Sequence, residues 1–111
     1  MIEAIVLNYL NAHLSVDVFA EKPTNPPKKY VVIDKIGSGE SDHLPSSILA
    51  FQSYAESKYE ASLLNEEVKT VVKQMIELDE IAGIELNSDY NFTDTSTKEY
   101  RYQAVFEIRH Y

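Results

Sequence analysis

At 111 residues, with 44% hydrophobic and 25% charged side chains, the chain has the composition of one globular domain, residues 1–111, and not of a fibrous or disordered segment. Its 10 basic and 18 acidic residues leave a net charge of −8, which repels a phosphate backbone and argues against nucleic-acid binding driven by counterion release. Cysteine is absent, which excludes disulfides, thiolate metal sites and cysteine nucleophiles, and no apolar run reaches the roughly 18 residues of a membrane span.

Glu3 stands where a signal peptide carries Lys or Arg, so the protein is expected to stay in the compartment where it is made. Ile2, Ile5, Val6, Tyr9, Leu10 and His13 follow the spacing of one helical face and predict a short amphipathic helix. Val16, Val18 and Ala20 then alternate with Asp17, Phe19 and Glu21, a strand that Pro23-Thr-Asn-Pro-Pro27 ends in a stiff loop. Tyr30 to Ile36 is rich in β-branched and aromatic residues and predicts a second strand. Gly37-Ser-Gly39 and the polar run Glu40 to His43 are expected to form an exposed loop tip.

Ser47 to Tyr54 places Ile48, Ala50, Gln52 and Tyr54 on one face and Leu49, Phe51 and Ser53 on the other. With apolar residues on both faces, it is expected to be a central strand or one covered by a neighbouring subunit. Ser57-Lys-Tyr-Glu60 has the form of a capping box and opens the strongest helix. Its apolar stripe is Ala61, Leu64, Val68, Val71, Val72, Met75 and Leu78, and Glu66 with Lys69 and Lys73 with Glu77 stand at pairing distance on its outside. Ile84 and Leu86 predict a short strand, and Asn87 to Thr97 is dense in turn formers.

From Tyr100 to Tyr111 a period of two holds for twelve residues: Tyr100, Tyr102, Ala104, Phe106, Ile108 and His110 face the core, while Arg101, Gln103, Val105, Glu107, Arg109 and Tyr111 make a polar face. The expected class is α+β: a mostly antiparallel sheet of four to five strands, with two helices packed on one face. The order is helix, three strands, helix, two strands.

No constellation for catalysis stands out. His13, His43 and His110 lie on three different elements with no carboxylate at ligand spacing, so each is read as filling a core edge or a loop. Asp89, Asn91 and Thr93 imitate the start of an EF-hand loop, but Asp94 stands where the turn needs Gly and Tyr100 where the bidentate Glu belongs. Gly37-Ser-Gly39 lacks the remaining residues of a dinucleotide or phosphate loop. The Pro23 to Lys28 run has the form of a polyproline ligand and is read as a connector; the Asn91-Phe-Thr93 sequon carries no meaning without secretion. Glu66-Glu67 and Asp79-Glu80 are neighbours in sequence and so point about 100° apart on a helix. No enzymatic activity, metal or cofactor is expected. Eight tyrosines, among them Tyr54, Tyr59, Tyr90, Tyr100, Tyr102 and Tyr111, exceed the needs of a core this size, and Tyr beside Arg101 and Arg109 is a composition favoured at protein interfaces.

Three strings carry a resemblance. Ile48-Leu-Ala-Phe-Gln-Ser-Tyr-Ala-Glu-Ser57, Ala61-Ser-Leu-Leu-Asn65 and Asp94-Thr-Ser-Thr-Lys-Glu-Tyr-Arg-Tyr-Gln-Ala-Val-Phe-Glu-Ile108 resemble the tail terminator or minor capsid proteins of siphophages that infect Gram-positive bacteria, a likeness that runs from Tyr30 to Tyr111. The resemblance implies a virion structural protein, made in the host cytoplasm, whose copies form a homo-oligomeric ring, hexameric in such families. The ring sits on the last tail-tube ring and faces the head connector, with DNA passing through the lumen unbound. It also implies that the Gly37 to His43 loop (Gly37, Ser38, Gly39, Glu40, Asp42 and His43) and the Asn87 to Thr97 segment (Asp89, Tyr90 and Asp94) face neighbouring subunits. Arg101 and Arg109 join them as candidate interface residues. A head completion or connector protein is the nearest alternative. An intracellular adaptor that recognises peptides by adding a strand at a sheet edge is an alternative of another class.

Overall fold

The computed structural model describes residues 2–41 and 43–111. Its elements are α1 (Ile2–His13), β1 (Asp17–Phe19), β2 (Tyr30–Ser41), β3 (Leu44–Ala55), α2 (Lys58–Gln74), a 3-10 turn (Met75–Glu77), β4 (Ile81–Asn91) and β5 (Tyr100–His110). The class is α+β with the expected order: the five strands form one sheet ordered β1-β2-β3-β5-β4, antiparallel except where β1 runs parallel to β2.

Both helices lie on one face. Val6, Tyr9 and Leu10 from α1, Leu64, Val68 and Val72 from α2 and Met75 from the 3-10 turn pack in one cluster with Val31, Ile33, Leu49, Phe51, Ala104, Phe106 and Ile108 of the sheet. The strand residues in that cluster are two apart, as the pleat requires for a shared face. α2 starts where expected because Ser57 Oγ accepts from the Glu60 N–H at 3.1 Å, satisfying one orphan donor of the first turn. Outside it, Lys69 pairs with Glu66 at 3.0 Å. The expected Lys73–Glu77 pair does not form; the chain leaves α-geometry at Met75, and Glu77 accepts a hydrogen bond from the Tyr9 hydroxyl at 3.2 Å instead.

The Gly37 to His43 and Asn87 to Thr97 segments both begin as strand. Residues 37–41 continue β2, paired with β3 from Gly37↔Ile48 to Ser41↔Leu44, so Gly37 to Glu40 are not a loop tip. Asp42 lies outside the described residues and His43 sits at the turn with φ 67°. β4 likewise runs through Asn91 instead of ending near Leu86, with Asp89↔Ala104 and Tyr90↔Gln103 in register. Ladder hydrogen bonds to a long, strongly patterned partner outweigh the local turn preference of Gly, Ser, Asn and Asp. Bulges at Ile36, Ala82 and Asn87 absorb the extra residues.

The two hairpins reach in opposite directions, giving a body of 43 × 24 × 23 Å. β2 and β3 extend beyond the last β5 pair, Ser46↔Arg109, at one end, and residues 92–99 project at the other. Lys98 in that second tip holds φ 55°, a left-handed conformation that costs a side-chain-bearing residue about 1 kcal/mol. Lys98→Gly is expected to raise stability by about 0.5 kcal/mol, part of the relief being offset by the greater freedom of glycine in the unfolded chain. An upward shift of the denaturant midpoint, against no change for Lys98→Ala, checks this.

Candidate assembly surfaces

The sheet face opposite the helices is not simply polar. Tyr30, Val32 and Tyr54 are buried there and form a second small cluster with Phe19. The Tyr30 and Tyr54 rings stack at 4.6 Å and 4°, directly opposite each other on β2 and β3, and Phe19 meets Tyr30 edge-on at 6.1 Å. Gln103 and Val105, expected on a solvated face of β5, are buried as well. Small Ala50 and Ser88 flank Val105 in the register, while the Gln52 amide donates to Gln103 Oε1 at 2.9 Å.

Charged side chains close over this aromatic cluster from two distant segments. Lys22, from the loop after β1, lies 5.5 Å from the Tyr54 ring and pairs with Glu99 of the β4–β5 hairpin. Arg101 stacks on the Phe92 ring at 4.3 Å, approaches Tyr54 at 5.9 Å and pairs with Glu99 at 3.1 Å. Its Nε–H donates to the Phe92 carbonyl at 2.7 Å. Tyr90 accepts from the Gln103 amide and meets Phe92 edge-on at 6.0 Å. The result is a guanidinium fixed between aromatic rings, which is pre-organised for contact and costs little rotamer entropy to use.

Burial, first of all, pushes the Tyr30 phenol up to about 12; the neighbouring Tyr54 and Glu99 add to the rise and Arg101 opposes it. A folded pKa above the ordinary value of 10.0 favours the folded state fully below pH 10. That contribution is lost as pH rises from 10 to about 12. Stability measured across this range is expected to fall less steeply in Tyr30→Phe than in the parent chain, and the parent's phenolate absorbance should show one late-titrating tyrosine that the variant lacks.

The candidate interface residues fall into separate groups. Gly37, Ser38, Gly39, Glu40 and His43 lie along the β2–β3 arm, with Asp42 outside the described residues. Arg109 stands on the open sheet face near the base of that arm, 4.0 Å from both Glu85 and Glu107. Its guanidinium lies close over Gly83, so a Cβ there would require the flexible end of the Arg109 side chain to move aside. Tyr90 and Arg101 come together at the far end.

Asp94 shapes the tip of the second hairpin. Its carboxylate accepts from the Ser96 hydroxyl at 2.7 Å and the Ser96 N–H at 3.0 Å, which hold it below its ordinary pKa. Asp89 is on the helix side, accepting from Asn65 at 2.6 Å and Lys69 at 2.5 Å. These bonds tie β4 to α2, and the Asp89 contact is the main cause of the raised Lys69 pKa. Of the six tyrosines in excess, Tyr54 is buried, while Tyr59 and Tyr111 are 73% and 75% exposed.

The sequence carries no local signal for Lys22 meeting Glu99, 77 residues away, while Phe92 and Glu99, only 9 and 2 residues from Arg101, reach it because the chain turns back between β4 and β5. The histidines stay apart: His13 stacks on Tyr9 at 4.0 Å, and His110 Nε2 lies 3.2 Å from Ser47 Oγ. A groove of about 380 Å³ lies between α1 and β2, lined by Glu3, Leu7, Ala20, Ile33, Asp34 and Lys35. Among the described residues no helix is long and apolar enough to cross a membrane. In comparison with known proteins, the chain matches no protein-family model and no curated protein.

Proposed function

We propose that this chain is a structural subunit of a bacteriophage virion, a tail terminator whose copies form a ring that caps the tail tube and meets the head connector. The observation that supports this reading best is the pair of unlike hairpins at opposite ends of a 43 Å body. A closed ring needs one patch that complements a different patch on the next copy, and a molecule with two dissimilar projecting ends supplies such a pair. The sequence likeness from Tyr30 to Tyr111 points the same way. Under this reading the chain is not an enzyme, and its net charge of −8 lets DNA pass through the lumen without sticking.

Purified protein added separately to unfinished tails and to tailless heads tests the assignment. A terminator binds tail ends, appears there as a ring in negative stain and restores joining. Binding to heads alone would make it a connector subunit, and binding to neither would sink the virion reading. One feature favours an adaptor instead: β1 covers β2 only from Tyr30 to Val32, leaving the edge from Ile33 onward open to an added strand. That reading requires a chain that is monomeric at high concentration and takes up an extended peptide along residues 33–41.

A further inference from the structure

We propose that the β2–β3 arm of one copy docks on the Pro26 to Lys29 segment of the next, so that acidic and basic ends of successive copies meet. This rests on the ring reading and names the surfaces that close it. The first observation is structural. β3 gains β5 as a neighbour only from Ser46, and β2 has β1 only as far as Val32, so residues 39–41 pair with residues 44–46 as a two-stranded ribbon that has no third strand beyond Ser46. Such a ribbon is marginal in water by itself. Exposed Glu40, and Ile36 at 55% exposure near its base, find no cover within their own copy.

The second observation is charge. Between Gly37 and Pro45 the sequence holds Glu40 and Asp42 and no Lys or Arg. Lys28 and Lys29 are exposed and, among the described residues, take part in no ion pair. Pro26 and Pro27 stiffen the chain just before them, which lowers the ordering cost of a contact there. The third observation is distance. Lys29 precedes Tyr30, where β2 begins, and Glu40 lies at the other end of that strand, about 35 Å away at the usual rise per residue. One chain therefore cannot bring its own acids to its own lysines. The pairing is between copies, and it joins unlike patches.

The lack of native cysteine makes the contact easy to test. Glu40→Cys and Lys28→Cys are surface changes; mixed in equal amounts at high protein concentration under mild oxidation, they are expected to give a cross-linked heterodimer. Its yield should exceed by several-fold that of either variant alone or of Glu40→Cys mixed with Thr70→Cys on the outside of α2, and it should fall at high salt. A second arm uses charge exchange: Glu40→Lys, and the double variant Lys28→Glu, Lys29→Glu, should each associate poorly alone and recover on mixing. Cross-linking at the control level, or a monomer at every concentration, would overturn the proposal. Rings in negative stain without the Glu40–Lys28 cross-link would overturn this contact and leave the ring reading standing. Cross-linked chains that stay open would support the contact and count against the closed ring.

Discussion

Phe106→Ala is expected to lower the stability of the folded chain by about 3–5 kcal/mol, the range for removing a buried aromatic ring from a packed core. Phe106 is fully buried on the helix side of β5 and meets Phe51 edge-on at 5.7 Å and 82°. α2 lies across β3 and β5, so the cavity would open beneath the helix, where Val68 and Val72 have no exposed surface and no room to relax into. Domains of this size are stable by about 5–15 kcal/mol in total, so the variant should be near its unfolding midpoint in mild denaturant. Leu86 stands opposite Phe106 on β4 but is 37% exposed, and Leu86→Ala should cost under about 1 kcal/mol. Urea unfolding of the two variants at unchanged slope would check the contrast; equal midpoints would mean that the helices do not cover this part of the sheet.

Tyr54→Ala should cost about 2–4 kcal/mol, although Tyr54 lies on the face away from the helices. Its ring is 5% exposed, stacks on Tyr30 and offers its face to Lys22 and Arg101. Loss of the ring therefore removes the centre of the second cluster along with the anchor for the two segments that fold over it. Tyr54→Phe keeps the stack and loses only a long contact between Arg101 and the hydroxyl at 3.5 Å, so its stability should stay close to that of the parent. Tyr59, 73% exposed, provides the comparison: Tyr59→Ala should fall within about 0.5 kcal/mol of the parent. If Tyr54→Ala proved as mild as Tyr59→Ala, the second cluster would not be a stabilising unit of the monomer, and the aromatic face would have to be explained by contact with other subunits alone.

This second cluster shows where reading by pattern stops. Alternation along β3 marks two faces with apolar residues, and that much is visible in the string Ser47 to Tyr54. What covers the second face is not. Phe19, Lys22, Phe92, Glu99 and Arg101 reach it from β1, from the loop after it and from the β4–β5 hairpin. Asp89 illustrates the same limit. As part of a turn-rich stretch it reads as an exposed acid, yet a bulge at Asn87 shifts the phase of β4 and turns Asp89 toward α2, where Asn65 and Lys69 hold it.

The sequence by itself determined the class, the element order, the N-terminus of α2 at Ser57 and the residues that line the main core, because periods of 3.6 and 2 and a capping hydroxyl act within a few residues of chain. Only the tertiary structure decided that Gly37 to Ser41 and Asn87 to Asn91 are strand, that three bulges reset their phase and that a guanidinium is fixed over a buried tyrosine pair. Those outcomes depend on hydrogen bonds and ring contacts between segments far apart in the chain, which outweigh local preferences of a few tenths of a kcal/mol per residue and leave no trace in the spacing of any one of them.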